Sequence, residues 1–209
     1  MIWLREWRQT KGIFIRFLVT VLLVNILSVV ISSRGSAGVL LTLQVLLGII
    51  FAVHLASYSF FKEIQQDTFG FLLSKPLKKY KILLGKISIA LLQCCTLILV
   101  SMLITVCVQI LKFSDITFTF IKAMKILSLL LPIPFVYFCI SLFFAVLTES
   151  RNKSVVLAYI IGTIFILSAP KIYHPGGLSL EPKVILFYFV IPVVFMTTAF
   201  LIFEEKEAK

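Results

Sequence analysis

The sequence predicts an all-α, polytopic membrane protein with six transmembrane helices and both termini in the cytoplasm. Three observations carry that prediction. Hydrophobic residues make up 60% of the 209, and charged residues only 14%, whereas a soluble domain carries about 25% charged residues. Six runs contain no Asp, Glu, Lys or Arg. The basic residues divide unevenly between the segments that join those runs. With a mean hydropathy of +1.10, the composition excludes a soluble enzyme, a disordered tail and a free nucleic-acid binder.

A spanning helix needs roughly 20 mostly apolar residues. The six runs are Phe17–Ser33, Gly35–Phe61, Ile87–Leu111, Ile126–Thr148, Ser154–Pro170 and Val184–Phe203. With flanking turns, the spans are expected at about 13–33, 37–61, 85–111, 124–148, 154–170 and 184–203, with Arg16 snorkelling toward the headgroups. Residues 13–209 form one six-helix domain, because the longest connecting piece, Lys62–Lys86, has only 25 residues and cannot build its own core. The first apolar stretch is longer than the 7–15 residues of a signal-peptide core, so it is expected to be retained as a helix.

Ahead of it, Met1–Gly12 reads as an amphipathic interfacial helix. Trp3, Leu4 and Trp7 share one face, and Arg5, Glu6, Arg8 and Gln9 the other. Trp beside Arg suits the headgroup layer. The second run carries Gly48, Ala52 and Ala56 at four-residue spacing, and the fifth repeats the pattern with Ala158 and Gly162. Small residues on one face let helices approach closely in lipid, either within the chain or between subunits. Pro132 and Pro134 in the fourth run and Pro192 in the sixth each remove a backbone donor and favour a kink. The four cysteines all fall in apolar runs, which argues for buried or lipid-facing thiols and against a disulfide framework.

Fourteen of the twenty basic residues lie on the side that holds both tails, Lys62–Lys86 and Glu149–Lys153; six lie on the other. The positive-inside rule places the richer side in the cytoplasm. The net charge of +11 is therefore a topology signal, attractive to anionic membrane lipid; no signature of nucleic-acid binding accompanies it.

The chain carries no engine of its own. No carboxylate lies deep in any run; the polar groups there are Asn25, Gln44, His54, Tyr58, Gln93 and Gln109. Ion-coupled pumps usually need buried carboxylates. A phosphate-binding loop fails too, because Gly85-Lys86 is followed by Ile87, with Tyr80 where glycine is required. Neither a zincin motif nor a nucleophile elbow is present, and two histidines are few for a metal site.

In Lys62–Lys86, Asp67 or Thr68 can cap a short helix. Phe69, Leu72 and Leu73 then share one face, and Lys75-Pro76 ends it. Such a helix, held between two spans with an uncovered apolar edge, suits a groove on a partner protein.

This loop resembles that of the membrane subunits of ABC type-two exporters. Their loop commonly reads Glu, a basic residue, Gly-Thr, two leucines, Pro, a basic residue and Gly-Lys at the start of the third span. Here stand Glu63, Thr68, Leu72-Leu73, Pro76, Lys79 and Gly85-Lys86, with Asp67 where the family usually has Gly. The resemblance implies a non-catalytic permease with an N-terminal interfacial helix and a cytoplasmic coupling helix, Phe69–Leu73. It implies a separate ABC ATPase subunit, which binds ATP and Mg, and a second permease subunit, identical or homologous. It further implies a multi-pass place in a bacterial plasma membrane. A minor ATPase contact at Glu149 and Arg151 is implied as well, as is a gate or re-entrant segment in Lys171–Lys183. The lack of buried charge favours a hydrophobic or amphipathic cargo: a peptide, bacteriocin, lipid-like molecule or drug. The alternatives are a stand-alone membrane immunity or regulatory protein without an ATPase, and a membrane-embedded enzyme, for which the needed cluster of Asp, Glu or His is missing.

Overall fold

In the computed structural model the described residues are 2–31, 37–65, 79–113, 132–148, 150–168, 173–174, 177–178 and 182–206. They are helical except for one residue between helices and a minimal antiparallel pair of two-residue strands. The helices are α1 (Ile2–Ile31), α2 (Ala37–Gln65), α3 (Lys79–Phe113), α4 (Pro132–Thr148) and α5 (Arg151–Ser168). The strands β1 (Tyr173–His174) and β2 (Gly177–Leu178) pair Tyr173 with Leu178 and His174 with Gly177. The last helix, α6, is composite: a turn Pro182–Ile185, a π-helical stretch Leu186–Val190 and an α-helical stretch Ile191–Lys206. The π-helical stretch ends just before Pro192, whose ring nitrogen has no hydrogen to give the carbonyl one turn earlier. Pro132 and Pro134, expected to kink the fourth helix, stand in the first described turn of α4; residues 114–131 before them lie outside the described residues.

Among the described residues three helices are long and apolar enough to cross a membrane: Leu84–Ser101, Arg151–Ser168 and Leu186–Phe203. Two shorter apolar helices, Leu43–Ser59 and Pro132–Thr148, lie beside them. The packing of α5 shows which solvent the fold expects. Ser154, Ala158 and Gly162 face inward, while Val156, Ile160, Ile164 and Leu167 are exposed. Water would favour the reverse; lipid favours small residues at helix contacts and large apolar ones outside.

The centre of the bundle is α4. It packs most closely on α2, α5 and α6, while α3 packs chiefly on α1 and α2. The core follows that division. One cluster gathers Phe14, Val21, Phe51, Ala90 and Phe138 around α1–α4, and the other gathers Val53, Tyr137, Ile140, Ala158 and Tyr188 around α4 and α5. α2 contributes to both.

The expected interfacial helix at residues 1–12 is not a separate element here. α1 runs unbroken through it, because the stretch contains no proline and Gly12 alone, in open space, is too weak a breaker to stop a helix.

Candidate functional site

Polar residues gather where the start of α1, the end of α2 and the start of α3 meet. On α1 the buried positions Glu6, Thr10, Phe14 and Val21 recur at helical spacing; on α3 so do Lys86, Ala90, Gln93 and Leu97. Both stripes begin polar and turn apolar. Glu6, expected on the exposed polar face, is only 1% exposed, and Lys86 only 2%. The Lys86 Nζ lies 3.2 Å from Glu6 Oε2 and donates a 2.8 Å hydrogen bond to the Ser59 carbonyl. One ammonium from α3 thus joins α1 and α2. A buried charge must be paired in this way, because its desolvation costs several kcal/mol otherwise.

The next layer repeats the register. Gln93 Nε2 donates to Thr10 Oγ1 at 2.8 Å, and the Thr10 hydroxyl donates to the Glu6 carbonyl at 2.9 Å. The pairs 6–86 and 10–93 advance together, so α1 and α3 run parallel. Gln93 is fully buried, and its Oε1 has no hydrogen-bond partner among the described residues.

The neighbouring seam has different chemistry. The Ser57 and Ser141 hydroxyls lie 3.1 Å apart, and both donate to the Val53 carbonyl, at 2.8 Å and 3.0 Å. Ser154 of α5 donates to the Ser141 carbonyl at 3.1 Å. Gly48, Ala52 and Ala56 are buried on α2. A Cβ on Gly48 would sit 3.1 Å from Pro134 of α4, and one on Gly162 would overlap the Tyr137 ring. The Tyr137 hydroxyl also bonds Thr163, at 2.9 Å. These small residues close contacts within the chain.

Beside the Lys86 tie, Arg151 at the start of α5 lies over the Tyr58 ring, 5.7 Å from its centroid. The start of α1, the end of α2 and the starts of α3 and α5 therefore share one end of the bundle. The three long helices reach it with length to spare. At 1.5 Å per residue, the 35 residues of α3 extend about 50 Å, against a hydrocarbon layer of about 30 Å. From this end the segment 66–78 leaves α2 and returns to α3.

A family model for ABC-2 family transporter proteins matches residues 6–169. The chain belongs to the ABC-2 transporter family. No curated protein and no solved structure matches it. As an ABC-2 permease it is a membrane protein, and the matched stretch holds both seams and the whole segment between α2 and α3.

Not every residue expected to act at that segment falls among those described. Glu63 lies in the last turn of α2 and Lys79 opens α3. Asp67, Thr68, Phe69, Leu72, Leu73, Pro76 and Glu149 lie outside the described residues. Gly85 and Lys86, expected where the loop opens into the third span, lie two turns inside α3 and are buried. The α3 helix begins earlier because residues 79–86 contain no proline and are mostly good helix formers. Sequence reasoning missed Glu6, Thr10, Ser59 and Gln93 as one site. A signal existed: Glu6 is the only carboxylate before Glu63, set among basic residues. Among the described residues no three His, Cys, Asp or Glu side chains gather as a metal site would require.

Proposed function

We propose that this ABC-2 permease is the membrane-spanning subunit of an ATP-driven exporter, with six spans and both ends in the cytoplasm. A separate ABC ATPase, which binds ATP and Mg, docks on the segment between α2 and α3. The apolar edge Phe69–Leu73 enters a groove on it. A second permease subunit, identical or homologous, completes the pathway in the plasma membrane of a bacterium. The cargo is hydrophobic or amphipathic, since among the described residues no charged pair lies along the α2–α4–α5 seam to greet an ion. The observation that carries this reading is the Lys86 tie, which fastens α1 and α2 to α3 at the end where the segment is anchored. A lever needs a stiff base, and a buried three-helix bond supplies one.

Co-purification tests it. The tagged chain, extracted from the membranes of its own host, is expected to bring down an ABC ATPase. Phe69→Asp and Leu72→Asp are expected to insert normally and lose that partner. Capture at wild-type strength by both variants would sink the docking role.

A further inference from the structure

The tie lies beside an uneven pattern of packing. α4 is fastened to α2 and α5 by hydroxyl bonds and glycine contacts. α3 is fastened to α1 by two layers of polar bonds, Lys86 to Glu6 and Gln93 to Thr10. Between α3 and α4 lies a small apolar cavity of about 30 Å³, lined by Cys94 and Ile98 on one side and Pro134 and Phe138 on the other. No polar bond among the described residues crosses it. The bundle is therefore stiff along α1–α3 and along α4–α5, and loosest between them.

We propose that Lys86 is a positioning residue that makes α1 follow α3. When the segment at the foot of α3 is displaced, the Lys86–Glu6 bond carries the motion to α1. The two parallel helices then shift as one body against α4, and the cavity provides clearance. The Ser59 carbonyl ties the same ammonium to α2, the helix that belongs to both halves. The inference rests on the proposed docking of an ATPase at this segment.

The test is a distance measurement on the permease–ATPase complex. Spin labels are placed at Arg8→Cys and Asn152→Cys, both exposed sites at the same end, after Cys94, Cys95, Cys107 and Cys139 are changed to Ala. Pulsed electron paramagnetic resonance then compares the complex without nucleotide and with Mg-ATP plus vanadate. The expected result is a nucleotide-dependent shift in the 8–152 distance. The Glu6→Met/Lys86→Met pair, which removes both charges of the tie, is expected to keep the ATPase bound and lose the shift. Lys86→Arg, which keeps a cation that can donate to both Glu6 and the Ser59 carbonyl, is expected to retain it. A full shift in the Met pair, or none in a folded Lys86→Arg variant that binds ATPase, overturns the inference and leaves the docking intact. Absence of any ATPase from the unsubstituted complex overturns both.

Discussion

The seam between α1, α2 and α3 is bridged by the long side chain of Lys86; the seam between α2, α4 and α5 is closed by Ser57, Ser141, Ser154 and two glycines. The first reaches across a gap with a charge. The second brings backbones so close that a single methyl group matters. Their energies differ in kind. Breaking one partner of a buried ion pair costs about 3–5 kcal/mol, whereas a hydroxyl bond between helices in lipid averages about 0.6 kcal/mol. The charged seam rests on one buried pair whose loss strands a charge, while the small-residue seam is made of weak contacts that tolerate almost no displacement.

The comparison breaks first at Lys86. Lys86→Met removes the ammonium paired with the buried Glu6 carboxylate and should cost about 3–5 kcal/mol. Thermal unfolding of the purified chain in detergent would show this as a large loss of stability. Adding Glu6→Met should recover most of it, since an apolar pair of similar volume often replaces a buried ion pair without loss. If Lys86→Met alone were harmless, the charged seam would not be the stronger one.

A smaller effect is expected at Gly162. A methyl group there would overlap the Tyr137 ring, and overpacking of that sort costs about 1–3 kcal/mol. The gain in helix propensity from Gly to Ala, about 1 kcal/mol, offsets only part of it. Gly48→Ala meets Pro134 at 3.1 Å, a contact that a slight shift relieves, so the two terms should nearly cancel. Unfolding measurements on both variants, with Tyr137→Ala as the second arm of a double-mutant cycle at Gly162, would show whether the seam is as intolerant as its geometry implies. Additive effects at 162 and 137 would mean that the helices simply move apart.

How much of this could be read from the chain depends on whether partners lie near or far in sequence. The all-helical class was legible, because charge-free runs and basic joints are local signals. The small faces at Gly48, Ala52 and Ala56 and at Ala158 and Gly162 were legible as patterns. What they touch was not: Pro134 and Tyr137 belong to another helix, and spacing within one helix is silent about its neighbour. Glu6 shows the limit most clearly. A carboxylate between Arg5 and Arg8 reads as solvated, and its burial is supported by Lys86, eighty positions later. Lys86 was read at the opening of the third span for the matching reason, since a lysine next to glycine before an apolar run looks like the border of a span. The helix in fact begins at Lys79. The apolar edge Phe69–Leu73 lies outside the described residues, so its reading still rests on periodicity and the family pattern.

The smallest effect, and the finest test of the charged seam, lies one layer above the tie. Gln93 donates to Thr10, but its own Oε1 is buried without a partner among the described residues. A net hydrogen bond contributes about 0.5–1.5 kcal/mol, and a buried unsatisfied group costs about 1–3 kcal/mol. Gln93→Leu removes both at once, so stability should change by no more than about 1 kcal/mol. Thr10→Val removes the same bond from the other side. It strands the Gln93 amide with both polar ends buried, and also deletes the bond from the Thr10 hydroxyl to the Glu6 carbonyl. Thr10→Val should therefore be clearly the worse of the two, although each breaks the same Gln93–Thr10 contact. Equal losses would mean that the Gln93–Thr10 contact itself decides the cost. The expected inequality would mean that the stranded Gln93 amide and the lost bond to the Glu6 carbonyl decide it.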